Sequence, residues 1–227
     1  MAEATVMAEA TVMAGATVLV VGGGGREHAI VWALAKSASV AEVIVAPGNP
    51  GTAAEPGCRN VAIEATDIEA LIELTMAESV DLVVVGPEDP LVLGLIDRLA
   101  EQNIAAFGPS AAAAKLEGSK SHCKEFLLRN DISTGRSQSF ADSASALAYL
   151  AKLVVPPVVK ADGLAAGKGV IVAETHLDAE VAIREILDEG RFGEAGAEVL
   201  LEERLHGAEV SILTFCDGER FHIMPAT

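Results

Sequence analysis

Basic residues are scarce in this chain. Its 227 residues include 16 lysines and arginines against 33 aspartates and glutamates, which gives a formal net charge of -17. Nucleic-acid backbones are bound through clusters of lysine and arginine, so this balance argues against a DNA or RNA partner. An acidic chain that binds phosphate must do so locally, with backbone N–H groups and a few placed lysines. Each lysine beside a glycine-rich loop is therefore a candidate phosphate ligand.

Long apolar runs and paired cysteines are also lacking. The longest apolar runs, such as Leu82 to Val85 and 154–159, are far shorter than the roughly 18 residues that a membrane-spanning helix needs. No contact with a membrane is predicted. Cys58, Cys123 and Cys216 are widely spaced, without a CxxC pair, which argues against a disulfide framework or a zinc site. We expect a cytoplasmic protein.

The chain begins with a threefold hexapeptide, MAEATV, MAEATV and MAGATV, which places a methionine at positions 1, 7 and 13. The repeat has neither a basic region nor an apolar core, so it is not a signal peptide. Residues 1–16 are expected to form a disordered tail. Met13 is favoured over Met1 as the functional start because the first strand follows it directly, and an ordered helix is the alternative.

Short apolar strands alternate with loops rich in glycine and proline and with helical patterns. The strands are Thr17 to Val21 before Gly22 to Gly25, Val43 to Ala46 before PGNPG, Leu82 to Val85 before GPEDP, and Ile104 to Phe107 before GPS. This alternation predicts an α/β fold with a doubly wound parallel sheet over residues 17–115. Ligands bind such sheets at the carboxyl ends of the strands, so the four loops are expected to converge on one ligand.

The clearest helix spans Asp67 to Glu78, where Thr66 and Glu69 form a capping box. Its predicted buried stripe consists of Ile68, Leu71, Ile72 and Met76. Residues 116–135 predict a helical connection with a helix from Ser119 to Asn130. Residues 136–227 predict an α+β region; its strands are Val158 to Lys160, Val170 to Ala173, Val199 to Glu202, Val210 to Phe215 and Phe221 to Met224, and its main helix is Leu177 to Glu189.

The first glycine loop, Gly22 to Gly25, fails as a dinucleotide fingerprint. That pattern requires glycine at positions 22, 24 and 27, and position 27 is Glu27. The loop still leads into a helix N-terminus, which favours an anion, and Arg26 and His28 in the first turn would strengthen this preference. Close packing of strand and helix is the alternative, although it explains only one or two of the four glycines.

A second glycine loop lies between Lys160 and Lys168, in the run VVKADGLAAGKGV. It fails as a Walker A loop because Gly163 and Gly167 are separated by three residues and Gly169 replaces the hydroxyl residue. Lys160 ends an apolar run, so its ammonium would be partly desolvated unless an anion met it. Two lysines on either side of a flexible hairpin favour phosphate binding over two isolated solvated side chains.

Seven motifs resemble the phosphoribosylamine-glycine ligase family, also called glycinamide ribonucleotide synthetases, within the ATP-grasp superfamily. They stand in the order and at the spacing of that family's N-terminal half: GGREHA at 24–29, APGNPGT at 46–52, VGPEDPL at 85–91, FGPS at 107–110, LEGSK at 116–120, KADGLAAGKGV at 160–170 and FGEAG at 192–196. One such motif would be weak evidence, whereas seven collinear motifs are specific.

The resemblance implies a substrate-binding domain over residues 17–115, part of the ATP-grasp core over 116–135, an ATP-grasp lid over 136–206 and the start of further core strands over 207–227. It implies that Lys120 and Lys160 reach the phosphates of ATP and that a loop closes over them. The implied ATP-binding residues are Lys120, Lys160, Gly163, Gly167, Lys168, Gly169, Glu202, Leu205 and Glu209. Those implied for phosphoribosylamine are Gly24, Gly25, Asn49, Gly51, Gly86, Pro87 and Glu88.

The activity implied is ATP-dependent ligation of glycine to 5-phosphoribosylamine, which gives glycinamide ribonucleotide, ADP and phosphate through a glycyl phosphate. Lysines and Mg²⁺ carry most of such a phosphoryl transfer. The family's magnesium ligands are expected beyond Thr227, so no catalytic or metal-binding residue is assigned within the chain. We expect the chain to be inactive alone and to need a complementary C-terminal chain. A non-catalytic nucleotide-binding remnant and another ATP-grasp carboxylate-amine ligase are the alternatives.

Overall fold

The computed structural model describes residues 15–165 and 167–226. Most of the predicted N-terminal tail, up to residue 14, lies outside the described residues, as does the proposed start at Met13. The last residue of that predicted tail, Ala16, already belongs to the first strand. The described residues form two compact units, one of residues 15–86, 98–107 and 206–226, and one of residues 87–97 and 108–205.

The described residues form strands and helices in alternation along most of the chain. Strands β1 to β11 span Ala16–Gly22, Val40–Pro47, Cys58–Asn60, Leu82–Val85, Ala106–Phe107, Ser137–Phe140, Val158–Ala161, Val170–Val172, Val199–Glu202, Thr214–Cys216 and Phe221–Ile223. Helices α1 to α8 span Gly25–Leu34, Ile68–Ala77, Glu88–Val92, Leu95–Glu101, Ala111–Gly118, Lys120–Arg129, Ser143–Leu150 and His176–Leu187. Short 3₁₀ turns cover Thr52–Ala54 and Gly193–Gly196.

A parallel sheet in the order β3-β2-β1-β4-β5 forms the centre of the first unit. β1 lies in the middle, with Val20 opposite Val45 of β2 and Val84 of β4. Because both faces of such a sheet are covered, its inner strands are apolar at successive positions rather than alternately. Four consecutive residues of β1, from Val18 to Val21, are accordingly buried. The predicted parallel α/β sheet is confirmed.

The buried face of α2 differs from the predicted stripe. Met76 is 60% exposed, and Thr75 is buried in its place. The burial of Thr75 is tolerated because its hydroxyl donates a 2.7 Å hydrogen bond to the carbonyl of Leu71, one turn earlier. The helix cap also differs, since the side chain of Asp67 rather than that of Thr66 accepts a hydrogen bond from the backbone of Ala70. The predicted capping box at Thr66 is therefore wrong.

An antiparallel sheet in the order β6-β9-β7-β8 forms the second unit together with helices. α7 and α8 contribute apolar residues to a core that includes Val159 of β7 and Leu201 of β9. The change from a parallel to an antiparallel sheet confirms the predicted α+β region. α8 begins with a capping box between Thr175 and Asp178. Beyond its C-terminus, Gly190 adopts a φ of 65°, a conformation that favours glycine.

The last two predicted strands are shorter than expected and pair with each other. β10 and β11 form an antiparallel hairpin in which Phe215 lies opposite His222. Phe215 also lies against Phe107 of β5, with ring centroids 6.1 Å apart. Among the described residues, no helix combines the length and apolar character needed to cross a bilayer.

Candidate functional sites

Loops that are distant in sequence meet at the carboxyl edge of the parallel sheet. The amide of Gly48, after β2, donates a 3.2 Å hydrogen bond to the carbonyl of Gly22, at the end of β1. Gly86, after β4, lies against the side chain of Glu27 in α1. The first unit thus brings together the first two of the four loops that were predicted to converge and the first residue, Gly86, of the third. The fourth, Gly108 to Ser110, belongs to the second unit.

Asn49 joins two of these loops through both ends of its amide. Its Nδ2 donates a 3.0 Å hydrogen bond to the carbonyl of Gly23, and its Oδ1 accepts hydrogen bonds from the backbone of Gly51 and Thr52. Its own backbone carbonyl accepts a hydrogen bond from Asn60. The amide of Asn49 therefore shapes the edge of the sheet, and its predicted contact with a substrate stays a prediction. Thr52 and Asn60 were not identified from the sequence, although both lie next to the PGNPG loop.

Glu27 occupies the N-terminus of α1, where the sequence predicted an anion. Its buried carboxylate accepts a 2.6 Å hydrogen bond from the backbone N–H of Gly24. The other oxygen, Oε1, makes no hydrogen bond and lies 3.4 Å from the guanidinium of Arg26. A carboxylate of the protein thus accepts a hydrogen bond from one of the N–H groups that were predicted to bind an anionic ligand. Glu27, which stands where the dinucleotide fingerprint requires its third glycine, is therefore the residue whose side chain caps α1.

His28 also has a partner within the first unit. Its Nε2 lies 3.0 Å from Oε1 of Glu55, and its ring packs on Gly51, where a Cβ atom would lie 2.4 Å from the ring carbon Cε1. His28 therefore supports the loop after β2. Gly25, the first residue of α1, is exposed at this edge. Pro87 and Glu88, the cap and first residue of α3, belong to the second unit.

The second unit gathers lysines around one buried carboxylate, that of Glu202 at the end of β9. Oε1 of Glu202 contacts the ammonium of Lys124, and Oε2 contacts that of Lys160. Glu202 is therefore the anion that meets the desolvated ammonium of Lys160. Burial alone would raise the pKa of Glu202, but the hydrogen bonds from the two lysines outweigh it and hold this pKa below its usual value.

Lys124 was not identified from the sequence. It lies on α6 four residues after Lys120, a spacing that places both side chains on one face of the helix. Its ammonium also contacts the hydroxyl of Thr134 and the carbonyl of Gly135. The sequence signal that could have identified Lys124 is the pair of lysines four residues apart in KSHCK. This pair indicates a shared site only once β9 places Glu202 beside Lys124.

Lys120 begins α6 and points to the base of the glycine hairpin. Its ammonium donates hydrogen bonds of 3.3 Å and 3.0 Å to the carbonyls of Asp162 and Gly163. Burial lowers the pKa of Lys120; the nearby carboxylate of Asp162 opposes this effect, and the charge of Lys160 adds to it. The carboxylate of Asp162 accepts a 2.6 Å hydrogen bond from the backbone of Ser121 and so caps α6. Lys120 and Lys160 thus belong to one cationic cluster.

The glycine loop connects β7 to β8 as the predicted hairpin. Gly163 packs so closely on Ala195, in the FGEAG motif, that a Cβ atom would lie 2.7 Å from the Cα atom of Ala195. Gly169 packs against Ala165 in a similar way: a Cβ atom added at Gly169 would lie 2.7 Å from the Cβ atom of Ala165. Gly167 and Lys168 are exposed. The two ends of the loop are therefore held by packing, and its tip presents Lys168 to solvent.

Glu203 and Arg204, which follow Glu202, pair with groups other than the lysines of the cluster. Glu203 forms a two-pronged ion pair with the exposed Arg136, and Arg204 lies 3.2 Å from Glu174. Leu205 is exposed, and Glu209 is an exposed residue of the first unit. Their predicted contacts with adenine and ribose stay predictions. Within residues 15–165 and 167–226, no cluster of three or more His, Cys, Asp or Glu residues could hold a metal ion.

The lowered pKa of Glu202 predicts a loss of stability in acid. Because this pKa lies below its ordinary value of 4.5 in the folded chain, the unfolded chain takes up the proton first as the pH falls. The stability that Glu202 contributes should therefore be complete above about pH 6 and decline below about pH 4.5. Urea titrations of the unmodified chain and of Glu202→Gln should give free energies of unfolding that approach each other as the pH falls. A constant difference across this range would contradict the prediction.

Two family models match consecutive parts of the chain. Phosphoribosylglycinamide synthetase, N domain, matches residues 16–117, and Phosphoribosylglycinamide synthetase, ATP-grasp (A) domain, matches residues 118–227. Both matches are to the same synthetase. Together they account for the chain from residue 16 onward.

Curated relatives are similar over nearly the same length. The phosphoribosylamine-glycine ligases of Allochromatium vinosum and Escherichia coli K12 are 54% and 51% identical over 207 residues. Each alignment covers 91% of this chain and 48% of the relative. The chain thus spans about half the length of the curated relatives it matches.

Solved structures share the fold. The structure of phosphoribosylamine-glycine ligase from Thermotoga maritima has a TM-score of 0.74 and 29% identity, and the match covers 92% of this chain and 49% of that one. An N5-carboxyaminoimidazole ribonucleotide synthetase has a TM-score of 0.71 at 20% identity, a likeness of fold. The collinear motifs, both family models and these relatives agree, and the chain belongs to the phosphoribosylamine-glycine ligase family of ATP-grasp enzymes.

Proposed function

We propose that the second unit binds the phosphates of ATP through Lys120 and Lys160. The observation that carries this proposal is a group of three lysines, of which Lys124 and Lys160 contact the buried carboxylate of Glu202 and Lys120 contacts the base of the glycine hairpin. The carboxylates of Glu202 and Asp162 balance two of these three charges. A positive charge therefore remains at the base of the hairpin, where a polyphosphate would be stabilised.

The reaction we propose for the whole enzyme is the ligation of glycine to 5-phosphoribosylamine. The glycine carboxylate attacks the γ-phosphorus of ATP, which forms a glycyl phosphate and releases ADP. The amine of phosphoribosylamine then attacks the acyl carbon, and phosphate leaves as glycinamide ribonucleotide forms. Within this chain, Lys120 and Lys160 would hold the phosphates and neutralise the charge that develops on them. Lys168, at the exposed tip of the hairpin, would add a further cation when the loop closes.

The carboxyl edge of the parallel sheet is the proposed site for phosphoribosylamine. Its support is the contact of the loops after β1, β2 and β4 around Gly23, Asn49 and Gly86. Parallel sheets bind ligands at this edge because loops from neighbouring strands open there. With the side chain of Asn49 and the backbone N–H of Gly24 engaged by the protein, the exposed Gly25 is the more accessible part of the predicted set.

The described carboxylates of the lysine cluster do not fit a magnesium site. Mg²⁺ prefers carboxylate and water oxygens in octahedral geometry, whereas both oxygens of Glu202 contact lysines. Asp162 is turned toward the N-terminus of α6. We therefore assign no metal ligand to these residues and derive no step through a metal ion. In this proposal, the missing ligands and the other half of the active site belong to a complementary C-terminal portion.

Calorimetry of the 227-residue chain with ATP tests the nucleotide proposal. We expect Lys160→Ala and Lys120→Ala each to weaken ATP binding by about tenfold, since each removes a charged hydrogen bond to a phosphate. Lys115→Ala is the matched control because Lys115 is exposed on α5. Equal affinity of all four proteins would contradict the assignment of Lys120 and Lys160.

Activity separates the ligase from a non-catalytic nucleotide-binding protein. ADP release that depends on glycine and phosphoribosylamine is expected when the chain is mixed with the C-terminal half of a related ligase. ATP binding without such release in the mixture would favour the non-catalytic protein.

A further inference from the structure

Lys124 has no obvious place in phosphate binding, because its donors have partners within the protein. Its ammonium contacts Oε1 of Glu202, the hydroxyl of Thr134 and the carbonyl of Gly135, which are three acceptors for the three N–H groups of a lysine. Its side chain is only 12% exposed. Lys124 is thus fixed in the protein rather than offered to a ligand.

Lys160 shares the same carboxylate but is more open. Its ammonium contacts Oε2 of Glu202, and 26% of its side chain is exposed. A phosphate that approaches the hairpin can therefore reach Lys160 more readily than Lys124. Because the phosphate and the carboxylate of Glu202 are both negative and both draw on the ammonium of Lys160, phosphate binding weakens the contact between Lys160 and Glu202.

Such an exchange creates an electrostatic problem for Glu202. The side chain of this residue is 11% exposed, and a buried carboxylate that loses its compensating cation is strongly unfavourable. Lys124 removes the problem because it contacts the other oxygen of the same carboxylate. The charge of Glu202 thus remains balanced while Lys160 changes partner.

We propose that Lys124 is a positioning residue of the nucleotide site, which stays on Glu202 while Lys160 exchanges the carboxylate for a phosphate oxygen. This inference rests on the proposed binding of ATP by the second unit. It assigns Glu202 a side-chain role, as the resting partner of Lys160, in addition to the contact with ATP that the family resemblance implies. It also explains why a buried lysine that cannot reach a ligand lies beside the phosphate-binding lysines.

The inference predicts a defect that depends on the phosphates. In Lys124→Met the carboxylate of Glu202 has Lys160 as its remaining lysine partner, so a phosphate that draws Lys160 away would leave this buried charge uncompensated. We expect ADP to bind about tenfold more weakly to this variant, while adenosine, which has no phosphate, changes by less than about twofold. Isothermal titration calorimetry of the full chain with each compound measures both effects. Lys152→Met is the matched control, because it removes one exposed lysine of the same unit.

A double variant separates positioning from a merely structural role. Glu202→Gln removes the charge that Lys124 compensates, so adding Lys124→Met to it should cause no further loss of ADP affinity. A structural role through Thr134 and Gly135 would produce the same loss in both backgrounds and would overturn the inference. Lys124→Arg, which retains the charge, should bind ADP within about threefold of the unmodified chain.

The nucleotide proposal and the role of Lys124 fail in different ways. If the unmodified chain bound no ADP, both would be overturned. If it bound ADP and Lys124→Met bound it equally well, only the role of Lys124 would be overturned. Carboxyl ¹³C NMR checks the contact itself, because the loss of one hydrogen-bond donor should raise the pKa of Glu202 in Lys124→Met. An unchanged titration midpoint would also overturn the inference.

Discussion

Replacing Glu202 with alanine should destabilise the second unit by about 3 kcal/mol, because it leaves two poorly exposed ammonium groups close together without their shared carboxylate. Tyr149, the single tyrosine of the chain, lies in α7 of this unit. Urea unfolding followed by tyrosine fluorescence therefore reports on the unit that contains the substitution. A loss below about 1 kcal/mol would show that the lysines have other compensation.

The neighbouring residue is a matched control for this experiment. Glu203 follows Glu202 directly and is also ion-paired, but its side chain is 39% exposed and that of its partner Arg136 is 88% exposed. Ion pairs exposed to this degree contribute little to stability, because water and salt screen them. Glu203→Ala should therefore cost much less stability than Glu202→Ala. Equal effects at positions 202 and 203 would contradict the role given to burial.

Replacing Gly86 with alanine should destabilise the first unit by about 2 kcal/mol, because the added Cβ atom collides with Glu27. This atom would lie 2.3 Å from Oε1 and 2.4 Å from Cγ of Glu27. Relief requires Glu27 to move, which costs the hydrogen bond from Gly24 at the N-terminus of α1. Trp32, the single tryptophan, lies on α1 and provides the fluorescence signal for unfolding.

Two further variants test the cause of this effect. Gly25→Ala is the control, since a Cβ atom at Gly25 would meet no described atom within 4 Å. It should leave the stability within about 0.5 kcal/mol of the unmodified chain. In a Glu27→Ala background the collision is absent, so Gly86→Ala should cost less than about 0.5 kcal/mol there. The same cost in both backgrounds would contradict the collision as the cause.

Much of the fold could be predicted from local pattern. The strands Leu82 to Val85 and Val199 to Glu202 have the predicted bounds, because short apolar runs bordered by loop residues have few alternatives. The buried face of α2 could not be predicted as reliably. Hydrophobicity predicts that Met76 rather than Thr75 is buried. Thr75 can nevertheless occupy the buried position, because its hydroxyl donates a hydrogen bond to a backbone carbonyl of the same helix.

The sequence predicted the chemical character of the candidate sites better than their contacts. Lys160 was selected because a lysine beside a flexible glycine loop suits phosphates, and Lys120 was implied by the family resemblance; the structure brings the two into one cluster. Lys124 was missed because its spacing of four residues from Lys120 does not by itself distinguish it from a surface lysine. Its partner Glu202 is 78 residues away, and such a contact arises only when the sheet and α6 come together.

The sequence by itself determined the family, the alternation of strands and helices, and the two glycine loops, because these depend on residue types at fixed local spacing. Only the tertiary structure decided which charges meet. It placed Glu27 on the helix end that was expected to bind an anion, and it placed Glu202 between Lys124 and Lys160. The physical reason is that a buried charge must be compensated by whichever group the fold brings near, and local sequence does not specify that group.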